Sequence, residues 1–234
     1  LCLRMINDPE NYDISSLRVA LNAAEPVRWS TIEQFEQKFG LRSVMVAGYG
    51  LAEATVGVSM WETGTPARVD THGLVSVGHP FPDVKVRIVQ DGHPIPHGDT
   101  GEIVIRSKAN CRGYFNNPQE TENLFWKDGY LFSGDLGYLD RDGFLYIVGR
   151  KKNTIKHAGE TIAAQEIEEI VDGLPYIRSS AAIGFDRGGI EGEQAYIFAE
   201  VWGKKGGTPD LEEITLQIVQ AFHTHLGFRP GRVF

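Results

Sequence analysis

The sequence predicts a mixed α/β and α+β fold built in consecutive parts, and three observations carry that prediction. Residues 17–50 read as strand, helix, strand. The stretch that follows alternates apolar and polar positions and is broken by Asp-Gly pairs. Beyond residue 151 the apolar positions return at helical spacing between short strand-like runs.

Residues 17–22 (LRVALN) form a short apolar run, expected as a buried strand. Ser30-Thr31-Ile32-Glu33 has the form of a capping box, and the helix it opens would carry Ile32, Phe35 and Phe39 and stop at Gly40. Residues 44–50 (VMVAGYG) read as the next strand, so residues 1–56 make a βαβ-like piece. Between 57 and 150 the style changes. Strands are expected at 84–89 and 102–106, with Asp91-Gly92, Asp128-Gly129 and Asp142-Gly143 as turns. Five of the eleven prolines lie between residues 66 and 96, which favours short strands and turns over helix. This section is expected as antiparallel β, a small barrel or a pair of curled sheets.

From residue 151 to 234 the pattern predicts a separate small α+β domain. Ile162, Ile167, Ile170, Val171 and Leu174 follow helical spacing, and residues 181–185 and 195–202 read as strands. Thr208 and Pro209 fit an N-cap and first helical position. Leu211, Ile214, Ile218, Val219, Phe222 and Leu226 would then form one face before Gly227.

The 234 residues are 41% hydrophobic, enough for a sizeable core. A net charge of -8 argues against a partner with a phosphate backbone, so no nucleic acid is expected. Two cysteines, Cys2 and Cys111, make neither a disulfide framework nor a metal pattern, and a reducing, cytoplasmic setting is expected. No apolar run approaches the ~20 residues that span a bilayer. Both ends read as cut from a longer protein: the chain starts at Leu1 and stops just after a basic, proline-containing turn.

Three stretches carry chemistry. The first and most informative is residues 144–168, FLYIVGRKKNTIKHAGETIAAQEIE, in which an apolar strand leads into Arg150, Lys151, Lys152 and Lys156 and then a glycine turn. Cations and bare backbone at a strand end suit an anion, with Arg150 giving directional hydrogen bonds. The second is residues 46–55, VAGYGLAEAT. Its tyrosine could stack a base, its glycine admits a ligand close to the backbone, and Glu53 could hold a divalent cation on phosphates. The third is residues 129–140, GYLFSGDLGYLD, where Asp135 could accept hydrogen bonds from two vicinal hydroxyls. Alone, each has an ordinary explanation as a turn or a solvated loop. His157 reads as structural, and no Walker phosphate loop is present.

Read in order, the three stretches resemble the adenylate-forming superfamily of acyl-CoA synthetases, fatty acyl-AMP ligases, adenylation domains and luciferases. Tyr49-Gly50-Leu51-Ala52-Glu53 resembles its Y-G-x-T-E signature and Ser133-Gly134-Asp135 its T/S-G-D signature. Gly149-Arg150, Ile155-Lys156, Gly159, Ile162 and Glu166-Ile167-Glu168 resemble its G-R…I-K…G…I…E-I-E signature. GEIVIRSKANCRGYFNNPQET resembles its G-E-I-x-x-R-G…G-Y-x-x-x-P-x-x-T segment. The likeness covers essentially the whole chain.

This resemblance implies a division of labour. Residues 1–150 would be the end of the large domain, with 57–150 its β-barrel subdomain, and 151–234 the small mobile domain, incomplete at its end. Ala23, Ala24, Glu25 and Pro26 would lie against adenine, with Tyr49 stacking on it and Gly50, Leu51 and Ala52 beside the nucleotide. Glu53 would bind Mg²⁺ at the phosphates of ATP, and Asp135, helped by Arg150, would hold the ribose. Lys152 would be the hinge. Lys156 and the Ala158-Gly159 turn would serve the second step, in which a thiol of CoA or of a carrier protein's phosphopantetheine takes the acyl group. The implied reaction activates a carboxylic acid, fatty in the favoured reading, to acyl-AMP with release of pyrophosphate. The alternatives are an amino-acid or aryl-acid adenylation domain, or a non-catalytic binder of nucleotide or carrier protein.

Some features pull apart. Ala52 stands where many members have Thr. LRVALNAAEPVR and YGLAEAT resemble fatty acyl-AMP ligases, whereas IKHAGETIAAQEIE resembles CoA ligases or adenylation domains. The family's phosphate loop is expected upstream of Leu1 and its late lysine downstream of Phe234, so the chain alone is expected not to catalyse adenylation. Gly57, Val58 and Met60 are expected to line one wall of the acid pocket.

Overall fold

The computed structural model describes residues 2–24, 27–71, 73–186, 192–202 and 210–234. Two compact units divide it, Leu1–Ile147 and Val148–Phe234.

In the first unit, strand Ala20–Asn22 lies parallel to strand Met45–Tyr49, and helix Trp29–Phe39 connects them. The helix buries Ile32 and packs Phe35 against Phe39, with ring centroids 4.8 Å apart and tilted by 45°. It stops at Gly40, whose φ of 65° is the left-handed geometry that a residue without Cβ adopts freely. Its start departs from the expected capping box. The N-cap is Arg28, with no side-chain cap, and Ser30 to Glu33 already lie inside the helix. Arg28 forms a β-bridge with Leu74, which holds it extended and fixes the first helical residue one position later. Strands Ser59–Met60 and His79–Pro80 extend the same sheet antiparallel.

A second sheet has the order His93–Pro94, Lys85–Gln90, Gly101–Arg106, Leu131–Leu139, Leu145–Arg150. Strand Gly101–Arg106 is central and buried on both faces. Ile103 and Ile105 enter the main core with Leu131 and Leu145, while Val104 packs with Val89 and Tyr130. The Asp91-Gly92 turn has φ of 49° and 74°, the two positive values that a two-residue hairpin demands. Asp142-Gly143 likewise joins two strands, with Gly143 at φ 84°.

In the second unit, hairpin Thr154–His157 and Glu160–Ala163 leads into helix Ala164–Asp172. Ile162 therefore belongs to the hairpin rather than to the helix, because a period-2 strand runs into the helix without a break. Strands Ile177–Asp186 and Glu193–Val201 pair antiparallel, and Arg232–Val233 joins the latter in parallel. Thr208 and Pro209 lie outside the described residues. The last helix, Leu211–Leu226, has Asp210 as its N-cap, whose carboxylate accepts from the amides of Glu212 at 2.9 Å and Glu213 at 3.4 Å. Ile214, Ile218 and Phe222 enter the core as expected. Leu211, the first residue of the helix, is instead exposed.

Candidate active site

Strand Met45–Tyr49 delivers Tyr49 and then turns sharply. The amide of Val56 bonds the carbonyl of Leu51 at 3.0 Å and that of Val58 bonds Tyr49 at 2.9 Å, so the chain folds back on itself. A Cβ on Gly50 would overlap the Val56 carbonyl, so only glycine permits the turn. Leu51 caps the single helical turn Ala52–Ala54, which carries Glu53. Ala23 packs over Gly48, where a Cβ would stand 3.9 Å from it, and Ala24 turns the chain with φ 73°. Glu25 and Pro26 lie outside the described residues.

Asp135 reaches the same place from the second sheet. Glu102 pairs with Leu136 and Val104 with Phe132, so Ser133, Gly134 and Asp135 together oppose the single residue Ile103. This bulge is pinned by Ser133. Its hydroxyl donates to Ile103 O at 2.8 Å and accepts from the Asp135 amide at 3.0 Å, while Gly134 takes φ 74°. The buried Asp135 carboxylate accepts a hydrogen bond from the Tyr49 hydroxyl at 2.7 Å. Two motifs that lie 86 residues apart thus meet through a charge-assisted hydrogen bond. The bond uses the hydroxyl at the end of the Tyr49 ring.

Glu53 has a partner that the sequence did not reveal. The Tyr114 hydroxyl donates to Glu53 Oε1 at 2.7 Å, and this bond pushes the Tyr114 phenol up to about 12. Cys111 N bonds Glu53 O at 2.7 Å, and Thr55 Oγ1 bonds Ala109 O at 2.6 Å. Among the described residues no group of three or more His, Cys, Asp or Glu could hold a metal ion. One carboxylate suits Mg²⁺, which keeps its waters and takes most other ligands from substrate phosphates. Val58 does not line an open wall: it is fully buried in the main core. Phe81 closes over Gly57, whose Cβ would come within 2.9 Å of its ring.

The other predicted residues belong to the second unit. Arg150 ends its strand exposed, and Lys152 sits exposed in the turn Lys151–Asn153. In the hairpin, Ile155 and His157 point inward and Lys156 outward. The tip is Ala158-Gly159, with φ of 50° and 85°. Glu193 anchors this hairpin: its Oε2 accepts from the Lys156 amide at 2.8 Å and its carbonyl bonds His157 Nδ1 at 2.8 Å. Gly184 leaves room for that carboxylate. His157 is buried and stacks on Phe228 at 4.0 Å, a structural role as expected. Neither Tyr114 nor Glu193 was assigned from sequence. Tyr114 lay within a recognised motif, while Glu193 gave no signal.

The AMP-binding enzyme family model matches residues 1–115. A probable CoA ligase of Humulus lupulus is 32% identical over 88% of the chain, and a long-chain-fatty-acid–CoA ligase of Bacillus subtilis is 31% identical over 90%. This chain belongs to the adenylate-forming enzymes. It spans 36% of the length of each of those two relatives. The fold is also that of the solved McyG A-PCP complexed with phenylalanyl-adenylate, with a TM-score of 0.80 and 25% identity over 97% of this chain and 42% of that one. No helix among the described residues is long and apolar enough to cross a membrane.

Proposed function

We propose that the complete protein is an ATP-dependent acid–thiol ligase that forms an acyl-AMP, and that this chain supplies its nucleotide-holding and thiol-step residues. The observation that carries the reading is the Tyr49 hydroxyl on the buried Asp135 carboxylate at 2.7 Å. It brings together an aromatic side chain, the type that stacks on adenine, and a carboxylate, the type that accepts from two ribose hydroxyls. Ala23, Ala24 and the Gly50-Leu51-Ala52 backbone would flank the base.

In the first step a carboxylate oxygen of the acid attacks the α-phosphorus of ATP. The bond to the bridging oxygen breaks, and pyrophosphate leaves with its electron pair. Glu53 would hold Mg²⁺, which when bound offsets charge on the phosphate oxygens. In the second step a thiol displaces AMP from the acyl carbon. The family resemblance gives Lys152 the role of hinge and Lys156 with the Ala158-Gly159 turn that of thiol-step residues. CoA is the favoured acceptor because the relatives named above are CoA ligases. A fatty acid is the favoured substrate class, and a reducing cytoplasm the favoured setting.

A second reading, an amino-acid or aryl-acid adenylation domain that loads a carrier protein, draws support from the phenylalanyl-adenylate held by the McyG structure. The complete protein with ATP, Mg²⁺ and a panel of fatty, aryl and amino acids separates the two. Acyl-CoA formation supports the ligase. Adenylate consumed only by a phosphopantetheinylated carrier protein supports the adenylation domain. Release of AMP or pyrophosphate with none of these acids would defeat both.

A further inference from the structure

The segment Gly113–Thr121 has no role in the reaction described above, yet it touches the metal-holding carboxylate. We infer that Tyr114 is a positioning residue for Glu53: its hydroxyl engages Oε1 and presents Oε2 as the oxygen for a divalent cation. This inference rests on the proposed role of Glu53 in an adenylate-forming reaction.

Three contacts join the Glu53 turn to one loop. Tyr114 Oη donates to Glu53 Oε1 at 2.7 Å, Cys111 N to Glu53 O at 2.7 Å, and Thr55 Oγ1 to Ala109 O at 2.6 Å. Both the backbone and the carboxylate of Glu53 are therefore fixed from the same side. Tyr114 is itself held. Its amide donates to Thr121 Oγ1 at 2.9 Å, and Thr121 Oγ1 donates to Asn117 O at 2.8 Å. Gly113 takes φ 139°, and a Cβ there would collide with Thr121, so glycine alone lets the loop close on that side chain. Asn117 Oδ1 caps helix Pro118–Leu124 by accepting from the Glu120 amide at 3.2 Å, with Pro118 in the first turn. G-Y-F-N-N-P-Q-E-T thus reads as one clamp, in which a capped helix holds Thr121, Thr121 holds Tyr114, and Tyr114 holds the carboxylate. A ligating carboxylate oriented by an outer hydrogen bond binds its cation more tightly, because less rotational freedom is lost.

The test uses the complete protein and Mn²⁺ as a paramagnetic probe. Affinity for Mn·ATP is read by electron paramagnetic resonance, and affinity for metal-free ATP by equilibrium dialysis. Tyr114→Phe keeps the ring and removes only the donor. It should weaken Mn·ATP roughly 10-fold and leave metal-free ATP unchanged. Thr121→Val should weaken Mn·ATP in the same direction, and Thr121→Ser should restore it. Equal weakening of both ATP forms by Tyr114→Phe would make Tyr114 merely structural and overturn the inference. So would unchanged Mn·ATP affinity in Tyr114→Phe when Glu53→Gln lowers it. If Glu53→Gln itself leaves Mn·ATP unaffected, the metal role of Glu53 falls, and the role of Tyr114 falls with it.

Discussion

Replacing Asp135 by alanine tests the centre of the proposed site. Asp135 is 5% exposed and already holds the Tyr49 hydroxyl at 2.7 Å, so its carboxylate is fixed before any nucleotide arrives. Hydrogen bonds to a charged group are worth about 1.5–3 kcal/mol net, so losing those to the ribose should weaken ATP binding about 10- to 150-fold. The same change removes the Tyr49–Asp135 hydrogen bond and should cost roughly 1.5–3 kcal/mol in folded-state stability. These two effects separate cleanly. Calorimetric titration of the complete protein with ATP reads the first, and urea unfolding reads the second. A discriminating control is 2′-deoxy-ATP: the native protein should prefer ATP over it, and Asp135→Ala should bind the two alike. Tyr49→Phe should lose stability yet keep that preference. An unchanged dissociation constant for ATP in Asp135→Ala, or a retained preference for the ribose hydroxyl, would refute the assignment.

Three further outcomes are expected. Gly50→Ala should lower stability by more than ~1 kcal/mol, since the new Cβ has no place beside the Val56 carbonyl, and an unmoved urea midpoint would contradict the folded-back turn. Glu193→Ala removes the acceptor for the Lys156 amide and should speed hydrogen exchange at that amide, while exchange of the Ile218 amide in the last helix stays as it was. Tyr114 has its pKa raised to about 12, chiefly by its bond to Glu53, from an ordinary value of 10.0. Between those values the unfolded chain loses the proton first. The contribution is therefore complete below pH 10 and fades as pH rises towards 12. Thermal melts of the native protein should fall more steeply over that window than those of Tyr114→Phe.

The elements that were legible in the sequence are those fixed by local chemistry. Asp91-Gly92 announced a hairpin because few residues accept two positive φ values in succession, and Gly40 marked a helix end for the same reason. Tyr49, Glu53 and Asp135 were legible as candidates because their residue types match the chemistry, and the Tyr49–Asp135 bond joins two of the three motifs read in the sequence. What escaped was set by distant partners. The helix begins at Trp29 because Arg28 bridges Leu74, and nothing near Ser30 encodes that bridge. The hold of Tyr114 on Glu53 spans 61 residues, and that of Glu193 on Lys156 spans 37. A side chain that serves another backbone leaves no periodic trace along its own strand.

The bulge at Ser133–Asp135 makes the aim of the carboxylate a matter of parity. Two extra residues are an even number, so Leu131, Asp135 and Gly137 all keep to the buried side of the strand although the pairing slips between them. Removing any one residue of the three would make the surplus odd. Side chains beyond the deletion would then exchange faces, the Asp135 carboxylate would turn away, and Leu136 would stand in its stead. At this position the length of the strand is therefore constrained as tightly as its composition, and a single-codon deletion should harm the site more than most substitutions within it.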